Sequence, residues 1–209
     1  MLAADAVPIV LGGDHSITEP EVVACAAVHG PIGLVHFDTH TDTGTHVFGV
    51  ERSHGTPMYR LVEAGWIDPK RYVQLGLRGY WPGETEFQWQ RERGITSFFM
   101  HDIRDRGITP LLEQTLAIVG DGPVFLTVDV DVLDPAFAPG TGTPEPGGMT
   151  PLELLPSVRR VAQELELVGA DVVEVIPTAQ GSADITALVA DRIVRELLTG
   201  LALRKRAAN

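Results

Sequence analysis

A chain of 209 residues with 44% hydrophobic and 21% charged side chains has the composition of a folded protein, which excludes disorder or a fibrous repeat as an account of the whole. Its 28 acidic against 16 basic side chains leave a formal charge of -12, which opposes nucleic acid and anionic lipid as partners and admits a small cation. Cys25 is the only cysteine, so an intrachain disulfide and a thiolate zinc site are both excluded and a reducing, cytoplasmic setting is expected. Met1 to Val10 lacks the basic-then-apolar pattern of a secretion signal, and no apolar run approaches the ~20 residues of a membrane span.

Along the chain, short β-branched apolar runs predict six buried strands: Val7 to Leu11, Ile32 to Phe37, Tyr72 to Leu77, Ile95 to Phe99, Pro123 to Val128 and Val168 to Val175. Helical stretches lie between them, with start signals at Thr18 and Glu21, at Thr109 before Pro110, and at Thr150 with Pro151 and Glu153. In the first and last, the Thr hydroxyl is expected to cap a free N–H while the Glu three residues on reaches back. Asp131 to Met149, rich in Pro, Gly and Thr, is a long loop directly after a strand, a position that favours function. Strand and helix in alternation predict an α/β fold with a mainly parallel sheet covered by helices on both faces, in one domain over residues 1–209.

Parallel sheets present ligands at the carboxyl ends of their strands. The first predicted strand is followed by Gly12-Gly13-Asp14-His15-Ser16, the second by Asp38-Thr39-His40-Thr41-Asp42, the fifth by Asp129-Val130-Asp131, and the sixth closes with Glu174. Backbone alternation predicts that Asp38, His40 and Asp42 project to one side, as do Asp129 and Asp131. With His15 they bring four carboxylates and two imidazoles together, a repulsive set relieved by protons or by cations. The set exceeds one tetrahedral zinc, and its oxygen-rich character with histidine predicts two Mn(II) ions. His36, inside a strand, reads as a hydrogen-bonded core residue; His29, His46 and His101 read as surface or loop. Ligand type alone also allows a two-metal phosphoesterase, but no basic phosphate clamp accompanies these motifs. A P-loop, G-x-G-x-x-G, H-E-x-x-H and G-x-S-x-G are all lacking.

In this order, Gly12-Gly-Asp-His-Ser16, His36-Phe-Asp-Thr-His-Thr-Asp42, Ser53-His-Gly-Thr-Pro57, Thr127-Val-Asp-Val-Asp131, Asp134-Pro135, the Pro139 to Gly148 stretch and Val172-Val-Glu-Val175 resemble the ureohydrolases, the family of arginase and agmatinase. The wording of Pro139 to Gly148 is similar to the agmatinase and guanidino-acid hydrolase branch. The resemblance implies a three-layer α/β/α fold and hydrolysis of agmatine, or of a guanidino acid such as guanidinobutyrate, to urea and an amine by water activated between two manganese ions. It makes His15, Asp38, Asp42 and Asp129 ligands of one ion and His40, Asp38, Asp129 and Asp131 ligands of the other. His54 matches the proton-handling histidine, and Glu174 the acid that accepts hydrogen bonds from the guanidinium. A homo-oligomer, trimer or hexamer, is implied as well.

Two departures stand out. The chain begins almost at the Gly-Gly-Asp-His strand, without the N-terminal portion that family members have, and Ile176 to Ser182 replaces a stretch that usually contains Tyr-Asp-His. These departures motivate an alternative, a non-catalytic homologue or fragment that binds metal in a structural or regulatory role.

Overall fold

The computed structural model describes residues 6–81, 83–177 and 184–207. Six strands, β1 (Ile9–Leu11), β2 (Ile32–Phe37), β3 (Ile67–Leu77), β4 (Thr96–Phe99), β5 (Pro123–Asp129) and β6 (Glu166–Val173), form one sheet in the order β1-β6-β5-β2-β3-β4, every pairing parallel. Seven helices among the described residues connect or flank them: α1 (Thr18–His29), α2 (Pro57–Glu63), α3 (Glu84–Arg93), α4 (Met100–Arg106), α5 (Ile108–Val119), α6 (Pro151–Glu164) and α7 (Ile185–Ala207). None of these helices is long and apolar enough to cross a membrane.

All six predicted strands are present, with shifted ends. β3 starts at Ile67 because its first turn of chain, Asp68 to Arg71, is polar and partly exposed while Ile67 pairs with Ile32; an apolar pattern cannot report such an extension. β6 ends at Val173, since Glu174 turns out of the extended region with φ 63°.

Alternation along the strands divides the core into two layers. Leu34, Tyr72 and Phe125 face Val22 and Cys25 of α1 and Met58 and Leu61 of α2. Val35, Phe37, Leu75 and Leu126 face Leu111 of α5, Val158 of α6 and Ile193 of α7. Burying an aliphatic side chain contributes about 1.5–3 kcal/mol, so both faces of the sheet are held by packing rather than by helix propensity.

The start signals fare unevenly. At α6 the Glu153 carboxylate accepts the Thr150 N–H at 2.7 Å, with Pro151 in the first turn, as expected. At α1 the expected Thr18 cap is not made: the Thr18 hydroxyl donates instead to the buried Asp171 of β6 at 2.6 Å, a stronger, charge-assisted bond. At α5 the helix already begins at Ile108 after Gly107, so Thr109 lies inside the first turn.

From β2 the chain winds outward to β3 and β4 on one side, then returns to lay β5 and β6 on the other, where β6 also pairs with the first strand, β1, at the edge. The loops leaving β2 and β5 therefore diverge, and a crevice opens at the carboxyl ends of these central strands. Gly76 guards it: φ is 108°, and a Cβ there would sit 2.4 Å from Val132 Cγ2 and 3.0 Å from the Asp38 carbonyl oxygen. Gly76→Ala is expected to cost about 2 kcal/mol or more through strain and overpacking, read as a lowered midpoint in denaturant unfolding.

Candidate metal centre

The strand order sets β1, β6, β5 and β2 side by side, so His15, Glu174, Asp129 and Asp38 emerge as near neighbours. His15 Nδ1 lies 2.9 Å from Asp42 Oδ2, 3.1 Å from Asp38 Oδ2 and 3.4 Å from Asp129 Oδ2. His40 Nδ1 lies 3.1 Å from Asp131 Oδ2 and 3.6 Å from Asp38 Oδ1. The six predicted ligand residues thus gather in two adjoining sets that share Asp38, and five of the six are buried.

Turns, not strand alternation, produce the convergence. β2 ends at Phe37, before Asp38, His40 and Asp42, and β5 ends on Asp129 itself, before Asp131. Asp38 Oδ1 accepts the His40 N–H at 2.5 Å and Asp129 Oδ1 accepts the Asp131 N–H at 2.8 Å, two Asp side chains each closing a turn over the next residue but one. Asp42 is held at φ 50°, and Asp131 is fixed by the Thr39 N–H and by its own carbonyl accepting the Thr39 hydroxyl. His36 holds Asp38 from behind: Nε2 is 2.7 Å from Asp38 Oδ2 and Nδ1 is 3.0 Å from the Tyr72 hydroxyl. With both nitrogens engaged, His36 is the hydrogen-bonded core residue expected.

Burial raises the acids here, and only the local charges decide how far. Asp129 is pushed well above the carboxylate range by burial and by the charges of Asp131 and Asp38; Asp131 is raised by burial and by Asp38. Asp38 goes the other way, because the charge of His36 and the close approach of the three surrounding histidines outweigh its burial. For His15, burial is overcome by contacts with Asp129, Asp38 and Asp42, which raise it; His40 is raised likewise, to about 11, by Asp131 and Asp38. An acid cluster in this state needs protons or cations to persist.

A divalent cation suits these residues. His15 Nδ1 is buried and makes no hydrogen bond despite the three carboxylates around it, which leaves its lone-pair direction free toward a shared centre. Two groups that share Asp38, His15 with His36 and Asp38, and Asp38 with His40 and Asp131, each bring their ligand atoms within 4.8 Å of one another.

Beside this cluster opens a cleft of about 620 Å³, lined by His40, Asp42, His46, His54, Trp81 and Glu145 among others. His54 reaches it from the loop before α2, with Nδ1 3.3 Å from the Ser53 hydroxyl. Glu174 lies outside the cleft lining; its Oε1 accepts the His15 N–H at 2.8 Å, and burial raises its carboxyl above the usual range. His46 had read as a loop residue and does line the cleft, while half exposed.

Three features escaped the sequence pattern. Trp81 packs its ring 6.2 Å from that of His40. Arg78, just beyond β3, donates to the carbonyl oxygens of Gly76, Asp131, Val132, Leu133 and Glu145, and Asp134 accepts the N–H groups of Ala136, Gly147 and Gly148. The long loop 131–149 is therefore pinned at both ends. Behind His15, the buried Thr18, Thr127 and Asp171 form a polar group with the partly buried Glu21 at its edge. Of the altered stretch, Ile176 donates its N–H to the Gly140 carbonyl at 2.8 Å, and residues 178–182 lie outside the described residues.

Comparison with known proteins agrees with this geometry. The chain is 47% identical over 204 residues to a guanidinopropionase of Pseudomonas aeruginosa, covering 96% of this chain and 62% of that protein. It is 42% identical over 200 residues to a mitochondrial agmatinase of Gallus gallus, covering 95% and 58%. The solved structure of proclavaminate amidino hydrolase from Streptomyces clavuligerus superposes with a TM-score of 0.87 at 38% identity, covering 95% of this chain and 65% of that one. The chain spans about three fifths of the length of the curated relatives it matches. Residues 1–200 match the model of the arginase family, and the chain belongs to that family.

Proposed function

We propose that the protein hydrolyses a guanidino compound, agmatine or a guanidino acid such as guanidinobutyrate, to urea and an amine. Two Mn(II) ions would be held by His15, Asp38, Asp42 and Asp129 on one side and by His40, Asp38, Asp129 and Asp131 on the other, with Asp38 and Asp129 shared. The observation that carries this reading is the meeting of two histidines and four aspartates from three strand ends, with His15 Nδ1 left without a hydrogen bond. Relatives named for agmatine, guanidinopropionate and guanidinobutyrate hydrolysis support the substrate class. When bound, divalent cations held by these residues would neutralise the acids and would supply activation of water near neutral pH.

The chain's own groups supply the rest. The formal charge of -12, with Asp42 and Glu145 in the cleft wall, draws in a cationic guanidinium. Glu174, ionised, accepts from its planar N–H donors, a geometry that Arg-like groups favour. His54, in the cleft and free of any carboxylate partner among the described residues, passes a proton to the departing amine. The single buried cysteine supports a cytoplasmic site of action, and family membership supports a homo-oligomer.

The test is urea release by the purified chain with Mn(II) on a panel of agmatine, guanidinopropionate and guanidinobutyrate, with a phosphomonoester as control. At least one guanidine is expected to yield urea. Mn(II) uptake with no urea from any guanidine would instead favour the non-catalytic, structural or regulatory homologue.

A further inference from the structure

Three neighbouring strands carry a polar residue at the same level, just below the carboxyl ends of the sheet. His36 of β2 is the register partner of Gln74 of β3, and Gln74 that of Ser97 of β4. Interior positions of a parallel sheet are normally apolar, and polar side chains are kept there only with partners. His36 supports Asp38, whereas Gln74 and Ser97 have no part in the reading above.

Their bonds lead to the loop that carries Asp42. The Gln74 amide donates to the Thr41 carbonyl at 2.9 Å and to the Tyr72 hydroxyl at 2.8 Å. Ser97 Oγ stands between two amide oxygens, 3.2 Å from Gln74 Oε1 and 3.0 Å from Gln90 Oε1. The Gln90 amide donates to the Thr43 hydroxyl at 2.9 Å, and the Thr43 and Thr41 hydroxyls pair at 2.8 Å. The circuit closes on itself, and both residues that flank Asp42 belong to it.

Two features set this circuit apart from core filling. Gln90 is the buried residue of α3, a position where an apolar side chain would be buried at less cost and would lose only these contacts. Asp42 sits at φ 50°, a left-handed conformation that a residue other than glycine keeps only where its surroundings over-determine it. The Thr41 carbonyl is held on one side and the Thr43 hydroxyl on the other, and the Asp42 carbonyl accepts the Met58 N–H at 3.1 Å. From that backbone the carboxylate reaches 2.9 Å from His15 Nδ1.

We infer that Gln74, Ser97 and Gln90 are positioning residues that hold Asp42 in its left-handed conformation and so aim its carboxylate at the His15 side of the metal centre. The inference rests on the proposed ligand role of Asp42 and adds three residues, from β3, β4 and α3, that do not touch the metal. Asp42 serves only one of the two proposed ions, so the circuit acts on that ion alone.

The test cuts the circuit at two points. Gln90→Met keeps the length of the side chain and removes its amide; Thr43→Val keeps the shape and removes the hydroxyl, which Thr43→Ser restores. Calorimetry follows Mn(II) binding, and hydrogen exchange in the metal-free protein follows the Met58 N–H, a donor in the first turn of α2 with no partner inside its own helix. Both cuts are expected to weaken one ion about 10- to 100-fold and to leave the other near the parent. The Met58 N–H loses its protection in both while the Leu126 N–H of β5 keeps its own, and Thr43→Ser stays close to the parent throughout. Damage to the core as a whole would instead weaken both ions and unprotect both amides together. That result, parent-like binding and exchange in both cuts, a Thr43→Ser chain as impaired as Thr43→Val, or failure of both cuts to fold would each overturn the positioning role. A parent chain that takes up no Mn(II) would overturn the metal reading, and the Met58 exchange, read without metal, would still decide whether the circuit holds Asp42.

Discussion

Asp129→Asn is expected to abolish Mn(II)-dependent urea release while leaving the metal-free protein at least as stable as the parent. Asp129 is a proposed ligand of both ions, and its Oδ2 is 3.4 Å from His15 Nδ1. Loss of even an outer partner of a ligand lowers metal affinity or activity about 10- to 100-fold, so loss of a carboxylate proposed to hold both ions is expected to lower them by roughly 100-fold or more. The stability side follows from the opposite sign. Burial and the charges of Asp131 and Asp38 raise the Asp129 carboxyl well above its unfolded value, so its contribution is fully present in acid and is lost as pH rises through the folded pKa. At pH 7–8 ionising this group in the empty site is therefore unfavourable, and an amide removes the penalty. The Asn Oδ1 can still accept the Asp131 N–H, so the turn survives. Thermal unfolding with and without Mn(II), beside the urea assay, checks both halves: the parent gains a metal-dependent rise in Tm and the variant does not. Urea release near the parent rate in Asp129→Asn would remove Asp129 from the metal set.

How much of this was legible in the sequence depends on where each residue sits. The β2 and β5 runs are mostly apolar and buried, so the acids at their carboxyl ends, Asp38 just past β2 and Asp129 as the last residue of β5, stand out. Their geometry was not legible, because alternation applies only while the backbone stays extended. The chain leaves the strand at both sites, and side-chain-to-backbone turns do the aiming. Asp171 hid for the opposite reason: it lies inside an apolar strand, where a polar residue reads as an interruption rather than a member of a site. Thr18 resembled a helix cap because the local pattern is right, and only the neighbouring strand reveals that its hydroxyl has a charged partner. Arg78 carries no metal chemistry, and its targets are main-chain oxygens of a loop more than 50 residues away, which no local spacing encodes.

Metal uptake should be strongly pH-dependent, because the proposed ions must displace protons that the empty site holds tightly. Burial alone would lower His40, but Asp131 and Asp38 raise it to about 11, and His15 is raised by Asp129, Asp38 and Asp42 against the same burial effect. A histidine raised in this way stabilises the empty fold fully below its unfolded pKa of about 6.5, and that stabilisation is lost progressively as pH climbs toward the folded value. For the metal the consequence is reversed: each ion competes with at least one bound proton, so its affinity grows about tenfold per pH unit for each proton released. Between pH 6 and 8 that predicts roughly a 100-fold gain per proton, together with a widening gap between the Tm values of the loaded and empty protein. Calorimetry in buffers of different ionisation enthalpy counts the protons directly. His40→Ala should lower that count by about one in addition to weakening its own site. An affinity that stays flat from pH 6 to 8, with no proton release, would mean that the histidines are already neutral in the empty protein and that the acids alone hold the cluster together.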